Sequence, residues 1–79
     1  MPEDAFSAAL RGRRLQLGLR QGELADLAGV SERFVHALEN GKSTAHLDKV
    51  LDVLRALGLH LELHRGGADA IVAGHDLAG

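Results

Sequence analysis

The sequence predicts a mainly α domain: four short helices followed by one C-terminal β-strand that pairs across a homodimer. The helices are indicated by apolar residues at spacings of three and four, with a glycine after each helical segment. The strand is indicated by leucine alternating with polar residues over 59–64. At 79 residues the chain has the length of one domain. We expect that domain to comprise residues 1–65, and residues 66–79 to form a flexible tail.

The composition excludes several kinds of protein. There is no cysteine, which rules out disulfides, thiolate metal sites and cysteine nucleophiles. Only 3% of the residues are aromatic, which argues against a stacking platform for single-stranded nucleic acid. The net charge of −2 argues against a nucleic-acid partner. Residues 11–42, however, hold six basic and four acidic side chains, so a local basic face remains possible.

The chain has no apolar run long enough for a bilayer and no signal-peptide pattern, so we expect a cytoplasmic protein.

Two helices are predicted in the first third of the chain. Asp4 is a suitable N-cap for the first, which ends at about Leu17. The second covers residues 21–28 and stops at Gly29, a residue that tolerates a left-handed backbone. The residues expected to face the core are Phe6, Ala9, Leu10 and Leu17 in the first helix and Leu24, Leu27 and Ala28 in the second.

Two further helices follow. Ser31 is a suitable N-cap for the third, predicted from Glu32 to about Asn40. Ser43 or Thr44 can cap a fourth helix over roughly 45–57. The expected apolar stripes are Val35 and Leu38 in the third helix and Leu47, Val50, Leu51 and Leu54 in the fourth.

The predicted strand carries Leu59, Leu61 and Leu63 on one face. A single strand leaves its backbone hydrogen-bonding groups unpaired, and no second strand of comparable quality follows in the sequence. We therefore expect the strand of a second copy to pair with it antiparallel across a two-fold axis, with these three leucines as dimerisation residues.

The other strand face carries His60, Glu62 and His64. A His-x-His pair can ligate zinc, but no third or fourth ligand is obvious, and a solvent-facing strand edge explains the same residues. We therefore assign the chain no metal site.

The second and third helices, joined by a tight turn at Gly29, have the spacing of a helix-turn-helix. The small side chain of Ala25 permits the two helices to approach closely, while Val35 and Leu38 anchor the third helix from below. An α-helix fits the major groove of B-DNA, where residues near its N-terminus reach base edges. The residues expected on the opposite, solvent-facing side are Glu32, Arg33, Phe34, His36 and Ala37.

This part of the sequence resembles the Cro and phage-repressor type of helix-turn-helix regulators, the xenobiotic-response-element family. The resemblance covers about residues 8–57, and its most specific parts are Leu-Gly-Leu-x-Gln at 17–21 and Leu-Glu-Asn-Gly-Lys at 38–42. The continuation to residue 63, one long helix and one leucine-rich strand, is similar to HipB-like antitoxins. That resemblance implies a dimeric repressor that binds its own operator and neutralises a HipA-type serine/threonine kinase toxin.

The resemblance also implies roles for individual residues. Gln21 would touch the phosphate backbone and brace the recognition helix, while Arg33 is the best candidate for bidentate contact with guanine. Glu32 would accept from cytosine or hold Arg33 in position, and Phe34 would touch a thymine methyl group or a sugar. His36 would face base edges, and a solvated surface residue is the alternative for both Arg33 and His36. The whole implied DNA-binding set is Arg20, Gln21, Ser31, Glu32, Arg33, Phe34, His36, Lys42 and Ser43.

Two further positions are interpreted through the resemblance. Arg14 and Glu39 match a family pair that forms a structural salt bridge between the first and third helices. Arg20 stands where the family usually has Thr, Ser or Asn as an N-cap, so we interpret it as a phosphate contact, with a solvated surface arginine as the alternative.

Other functions stay open beside the repressor. The same fold can serve as a stand-alone regulator without a toxin, and the negative net charge keeps a protein-interaction module in view. Ser7 and Ser31 have no neighbouring base motif and no glycine-rich phosphate loop is present, so we expect neither an enzyme nor a bound cofactor.

Overall fold

The described part of the chain contains four α-helices, as the sequence predicts. The computed structural model describes residues 5–42, 46–63 and 65. Within these residues, none of the helices combines the length and the apolar character needed to span a bilayer. The helices are α1 (Ala5–Gln16), α2 (Gln21–Ala28), α3 (Glu32–Glu39) and α4 (Leu47–Ala56).

The hydrophobic core is shared by all four helices. Helix α2 packs against both α3 and α4, and α1 packs against α3. This arrangement leaves one side of α3 free of the core while its other side is anchored. The buried apolar residues are Leu10, Leu24, Ala25, Val35, Leu38, Val50, Val53, Leu54 and Leu57.

Three leucines predicted to face the core are instead exposed. Leu17, Leu27 and Leu47 expose 43%, 65% and 61% of their surface. Leu17 lies in the turn after α1, where helical periodicity no longer applies, and Leu47 is the first residue of α4. Leu27 lies outside the stripe of α2 that packs inward. Val53 and Leu57, at 1% exposure each, complete the core on α4 instead.

The start of α4 also differs from the prediction. The helix begins at Leu47, with His46 as an N-cap whose side chain makes no capping hydrogen bond. The predicted caps Ser43 and Thr44, like Asp4 before α1, lie outside the described residues. Val50 is the first residue of α4 that is buried in the core. Packing against the core depends on residues distant in the sequence, so the capping residues alone do not predict where the helix begins.

The segment 59–63 after α4 is neither helical nor paired in a ladder within this single chain. Leu59 is half-buried against the core, whereas Leu61 is 47% exposed and Leu63 is fully exposed. The C-terminal strand and its pairing with a second copy stay predictions. His64 and residues 66–79, which include the predicted tail, lie outside the described residues.

Candidate nucleic-acid interface

The turn between α2 and α3 is held by its own backbone. Gly29 has φ +74°, a left-handed conformation that a side chain would strain. The amide of Val30 donates to the carbonyl of Ala25 at 3.0 Å, which closes the end of α2. The Ser31 hydroxyl then accepts a hydrogen bond from the Phe34 amide at 3.0 Å and caps α3. Ser31 therefore acts in the structure as the N-cap of α3.

Helix α3 has an anchored side and an outward side. Val35, Leu38 and Glu39 are buried. Arg33 and His36 are exposed on the opposite side, as the sequence predicts from their spacing.

Asn40 was missed by the sequence analysis, although it follows Arg33 at helical spacing. It is exposed just after α3, and its side-chain amide donates to the carbonyl of His36 at 2.7 Å. Asn40 stands at the end of the predicted helix, and a spacing of seven residues returns it to the side of Arg33.

Glu32 and Phe34 are expected on the solvent-facing side of α3, but they lie on its two flanks. A Cβ atom added at Gly22 of α2 would meet the Glu32 carboxylate oxygen at 3.2 Å, so Glu32 leans against α2. Phe34 is half-buried and packs against the core. The missing side chain of Gly22 thus makes room for a carboxylate beside the first turn of α2.

A buried ion pair fixes α3 to α1. Arg14 Nε donates to Glu39 Oε2 at 2.6 Å and Nη2 donates to Oε1 at 2.9 Å. A third donor of Arg14, Nη1, reaches the carbonyl of Leu19 at 2.8 Å. Gln21 Nε2 donates to Glu39 Oε1 at 3.1 Å, so the first residue of α2 also braces α3.

The pKa values of this pair reflect its hydrogen bonds. Burial acts to raise the pKa of Glu39, but hydrogen bonds from Arg14 and Gln21, together with the charge of Arg14, bring it below its ordinary value. The hydrogen bond to Glu39 raises the pKa of Arg14 against the opposing effect of burial. Both side chains are therefore charged at neutral pH.

The predicted phosphate-binding residues lie at the ends of α2 and α3. The side chain of Arg20 makes no capping bond and is exposed, while its amide donates to the Glu23 carboxylate at 2.8 Å. Glu23 therefore accepts a hydrogen bond from the amide of the N-cap residue, whereas the Arg20 side chain has no acceptor to offer the free amides of the first turn. Lys42 is exposed after α3, and Ser43 lies outside the described residues.

Of the His60 and His64 pair considered in the sequence, only His60 lies within the described residues. His60 Nε2 lies 3.6 Å from the Glu62 carboxylate. No group of three His, Asp or Glu side chains within 5–42, 46–63 and 65 is arranged to hold a metal ion.

Comparisons with known proteins found relatives similar in sequence and in structure. An HTH-type transcriptional regulator of uncharacterised role, y4mF from Sinorhizobium fredii (strain NBRC 101917 / NGR234), is 48% identical over 58 residues, which are 73% of this chain and 76% of that protein.

Two solved structures are also similar. The restriction-modification controller protein C.AhdI from Aeromonas hydrophila matches with a TM-score of 0.63 and 33% identity, over 70% of this chain and 80% of that one. The clp gene regulator ClgR from C. glutamicum matches with a TM-score of 0.62 and 34% identity, over 72% and 78%.

The family assignment follows from the chain's own residues and from these likenesses together. The Helix-turn-helix family model matches residues 10–64, a range that begins in α1 and continues past α4. The chain therefore belongs to the helix-turn-helix family of DNA-binding transcriptional regulators, of the xenobiotic-response-element type.

Proposed function

We propose that the chain is a sequence-specific transcriptional repressor that binds an operator as a homodimer. The observation that carries this proposal is the outward side of α3, where Arg33 and His36 project while Val35 and Leu38 are buried beneath them. A helix held in this way can enter a major groove without rearranging the core. Repression would follow from excluding polymerase from the promoter that the dimer covers.

The roles proposed for the side chains follow from their positions. Arg33 reads a guanine through its O6 and N7 atoms, and His36 contacts a neighbouring base edge. Arg20, Gln21 and Lys42 bind phosphates and fix the register of the helix on the duplex. In a two-fold dimer the recognition helices occupy successive major grooves about 34 Å apart, so the operator should be an inverted repeat with half-sites about 10 base pairs apart.

Arg33→Ala tests the proposed readout. In titrations of DNA from upstream of the chain's own gene against unrelated DNA, this variant should lose about 1–3 kcal/mol of preference at one base pair of each half-site. Its binding to unrelated DNA should change little, because phosphate contacts carry that binding.

Arg55→Ala is the matched control for Arg33→Ala. Arg55 is an exposed arginine in the last turn of α4, paired with Asp52 at 2.8 Å. Its removal should leave sequence preference unchanged. Undiminished preference in Arg33→Ala would contradict the assigned readout.

The finer proposal is that this repressor is the antitoxin of a HipBA-like toxin–antitoxin system. It is supported by the HipB-like arrangement of the chain, in which α4 is followed by a leucine-rich segment. Leu61 and Leu63 of this segment are exposed. In this role the chain has no catalytic activity and no cofactor, and its partner is a HipA-type kinase.

The neighbouring reading frame decides between an antitoxin and a stand-alone regulator. Co-expression with an adjacent kinase-like gene, followed by affinity purification of this chain, should recover a stable complex if it is an antitoxin. The absence of a kinase-like neighbour would favour the stand-alone regulator. A dimer without preference for any promoter fragment at low salt would favour a protein-interaction module instead.

A further inference from the structure

Lys49 lies beside the recognition helix although the sequence analysis gave it no role. It is exposed in the first turn of α4, and its Nζ atom lies 6.0 Å from the centre of the Phe34 ring on α3. A cation at this distance from an aromatic ring is attracted by the negative face of the ring. The half-buried Phe34 ring is itself fixed by packing against the core.

Glu32 and Phe34 define the two flanks of α3. Residues two positions apart on an α-helix are separated by about 200° around its axis, so the two side chains point to nearly opposite sides. Glu32 lies against Gly22 of α2, and Phe34 lies against Lys49 of α4. Lys49 therefore lies on the flank of α3 away from the start of α2.

A helix in the major groove has a sugar–phosphate backbone on each side of it. On the α2 flank, Arg20 and Gln21 are the residues proposed for one strand. On the α4 flank, the Lys49 ammonium group is available for the other.

We propose that Lys49 binds a phosphate of the DNA strand on the α4 flank of α3, and that Phe34 positions its ammonium group for this contact. The inference rests on the proposed function, because it requires α3 to occupy the major groove.

The chemistry of the pair suits a positioning role. The ring attracts the ammonium group without taking a hydrogen bond from it, so its three donors stay available for phosphate oxygens. The nearby Asp52 carboxylate is paired with Arg55 at 2.8 Å. A lysine held at one place on the surface loses less side-chain freedom when it binds than a lysine free in solvent.

Salt-dependent titration of the operator tests the inference. Lys49→Met should lower operator affinity about tenfold at about 0.1 M salt. It should also reduce the slope of log affinity against log salt by about 1.8, because the dimer loses two phosphate contacts worth about 0.9 each. Lys49→Arg keeps the charge and should restore the slope. Arg65→Met removes one exposed positive charge outside the four helices and should change neither quantity.

Phe34→Leu tests the positioning role. This variant should weaken operator binding less than Lys49→Met and leave the salt slope unchanged, because the charge is retained. Added to Lys49→Met it should cause no further loss. Losses that add would mean that Phe34 contacts DNA itself, and would overturn its positioning role.

The outcomes separate this inference from the proposed function. If the unmodified chain binds no operator fragment in preference to unrelated DNA, the proposed function and the inference both fail. If the unmodified chain binds its operator and Lys49→Met matches it in affinity and salt slope, only the inference is overturned. Lys49 is exposed, so its variants are expected to fold and to decide the matter whatever the stability of Phe34→Leu.

Discussion

At the scale of single residues, one carboxylate connects three helices. Glu39 of α3, 4% exposed, accepts hydrogen bonds from Arg14 of α1 and from Gln21 of α2. Taking two charges out of water is costly, and only the close two-point geometry and the extra hydrogen bonds offset that cost. The pair therefore fixes the orientation of α3 more than it adds to net stability.

Glu39→Gln should be among the most destabilising single changes in the chain. It leaves the buried Arg14 guanidinium without a countercharge, so the free energy of unfolding should fall by about 3–5 kcal/mol, as for other broken buried pairs. Urea denaturation followed by circular dichroism measures this change. Asp26→Asn, at an exposed site on α2, should change the same quantity by less than about 0.5 kcal/mol.

The same variant has a predictable pH dependence. Because the pKa of Glu39 is lowered in the folded chain, its contribution to stability is complete above the unfolded value of about 4.3 and is lost as the pH falls through the folded value. The difference in unfolding free energy between the unmodified chain and Glu39→Gln should therefore shrink below pH about 4.3. Acid denaturation curves that keep a constant separation would contradict this assignment.

At the scale of the elements, local signals predicted the helices better than they predicted the packing. Gly29 and Ser31 mark the turn and the cap by their own conformational preferences, so the ends of α2 and the start of α3 could be located from the sequence. The start of α4 could not, because its capping signals at Ser43 and Thr44 precede the observed first turn by several residues.

Contacts between distant segments left no trace in the sequence pattern. The buried Ser7 hydroxyl donates to the carbonyl of Leu38, 31 residues away, at 2.7 Å. Neither residue type requires such a partner, so no local pattern predicts the bond. The same holds at the candidate interface: Arg33 follows from helical spacing, whereas Lys49 is identified only when α4 is packed beside Phe34.

Arg13 makes a second long-range contact, with the residue that follows α4. Its Nε atom donates to the carbonyl of Leu57 at 2.9 Å, across 44 residues, and it is half-buried. The next residue, Gly58, has φ +73°, and the amide of Leu59 returns to the carbonyl of Leu54 at 2.8 Å. The direction in which the C-terminal segment leaves the core is therefore set jointly by α1 and by the turn after α4.

Arg13→Met should weaken this connection while keeping the length of the side chain. Losing a charged donor to a helix-terminal carbonyl should lower the free energy of unfolding by about 1–2 kcal/mol, measured by urea denaturation. Arg55→Met removes an exposed pair with Asp52 and should cost less than about 1 kcal/mol. Equal effects of the two substitutions would show that the Leu57 contact contributes nothing specific.

At the scale of the whole molecule, the apolar surface is uneven at the C-terminal end. Leu59 packs on the core, but Leu61 and Leu63 lie on the surface of the single chain. A domain of this size has a marginal core, and covering such leucines with a second copy would add buried apolar area. Pairing of the segment across a two-fold axis would also satisfy its backbone donors and acceptors.

Leu61→Lys distinguishes this dimer from a monomer with a few exposed leucines. Leu61 is 47% exposed in the single chain, so lysine there should leave the helices folded, whereas two lysines near a two-fold axis would bring charge into the apolar interface. Sedimentation equilibrium should show a dimer for the unmodified chain and a monomer for the variant, with circular dichroism unchanged. Leu27→Lys, at a 65% exposed leucine on α2, should remain dimeric. If Leu61→Lys also remains a stable dimer, the predicted shared strand is wrong and the two copies must associate through another surface.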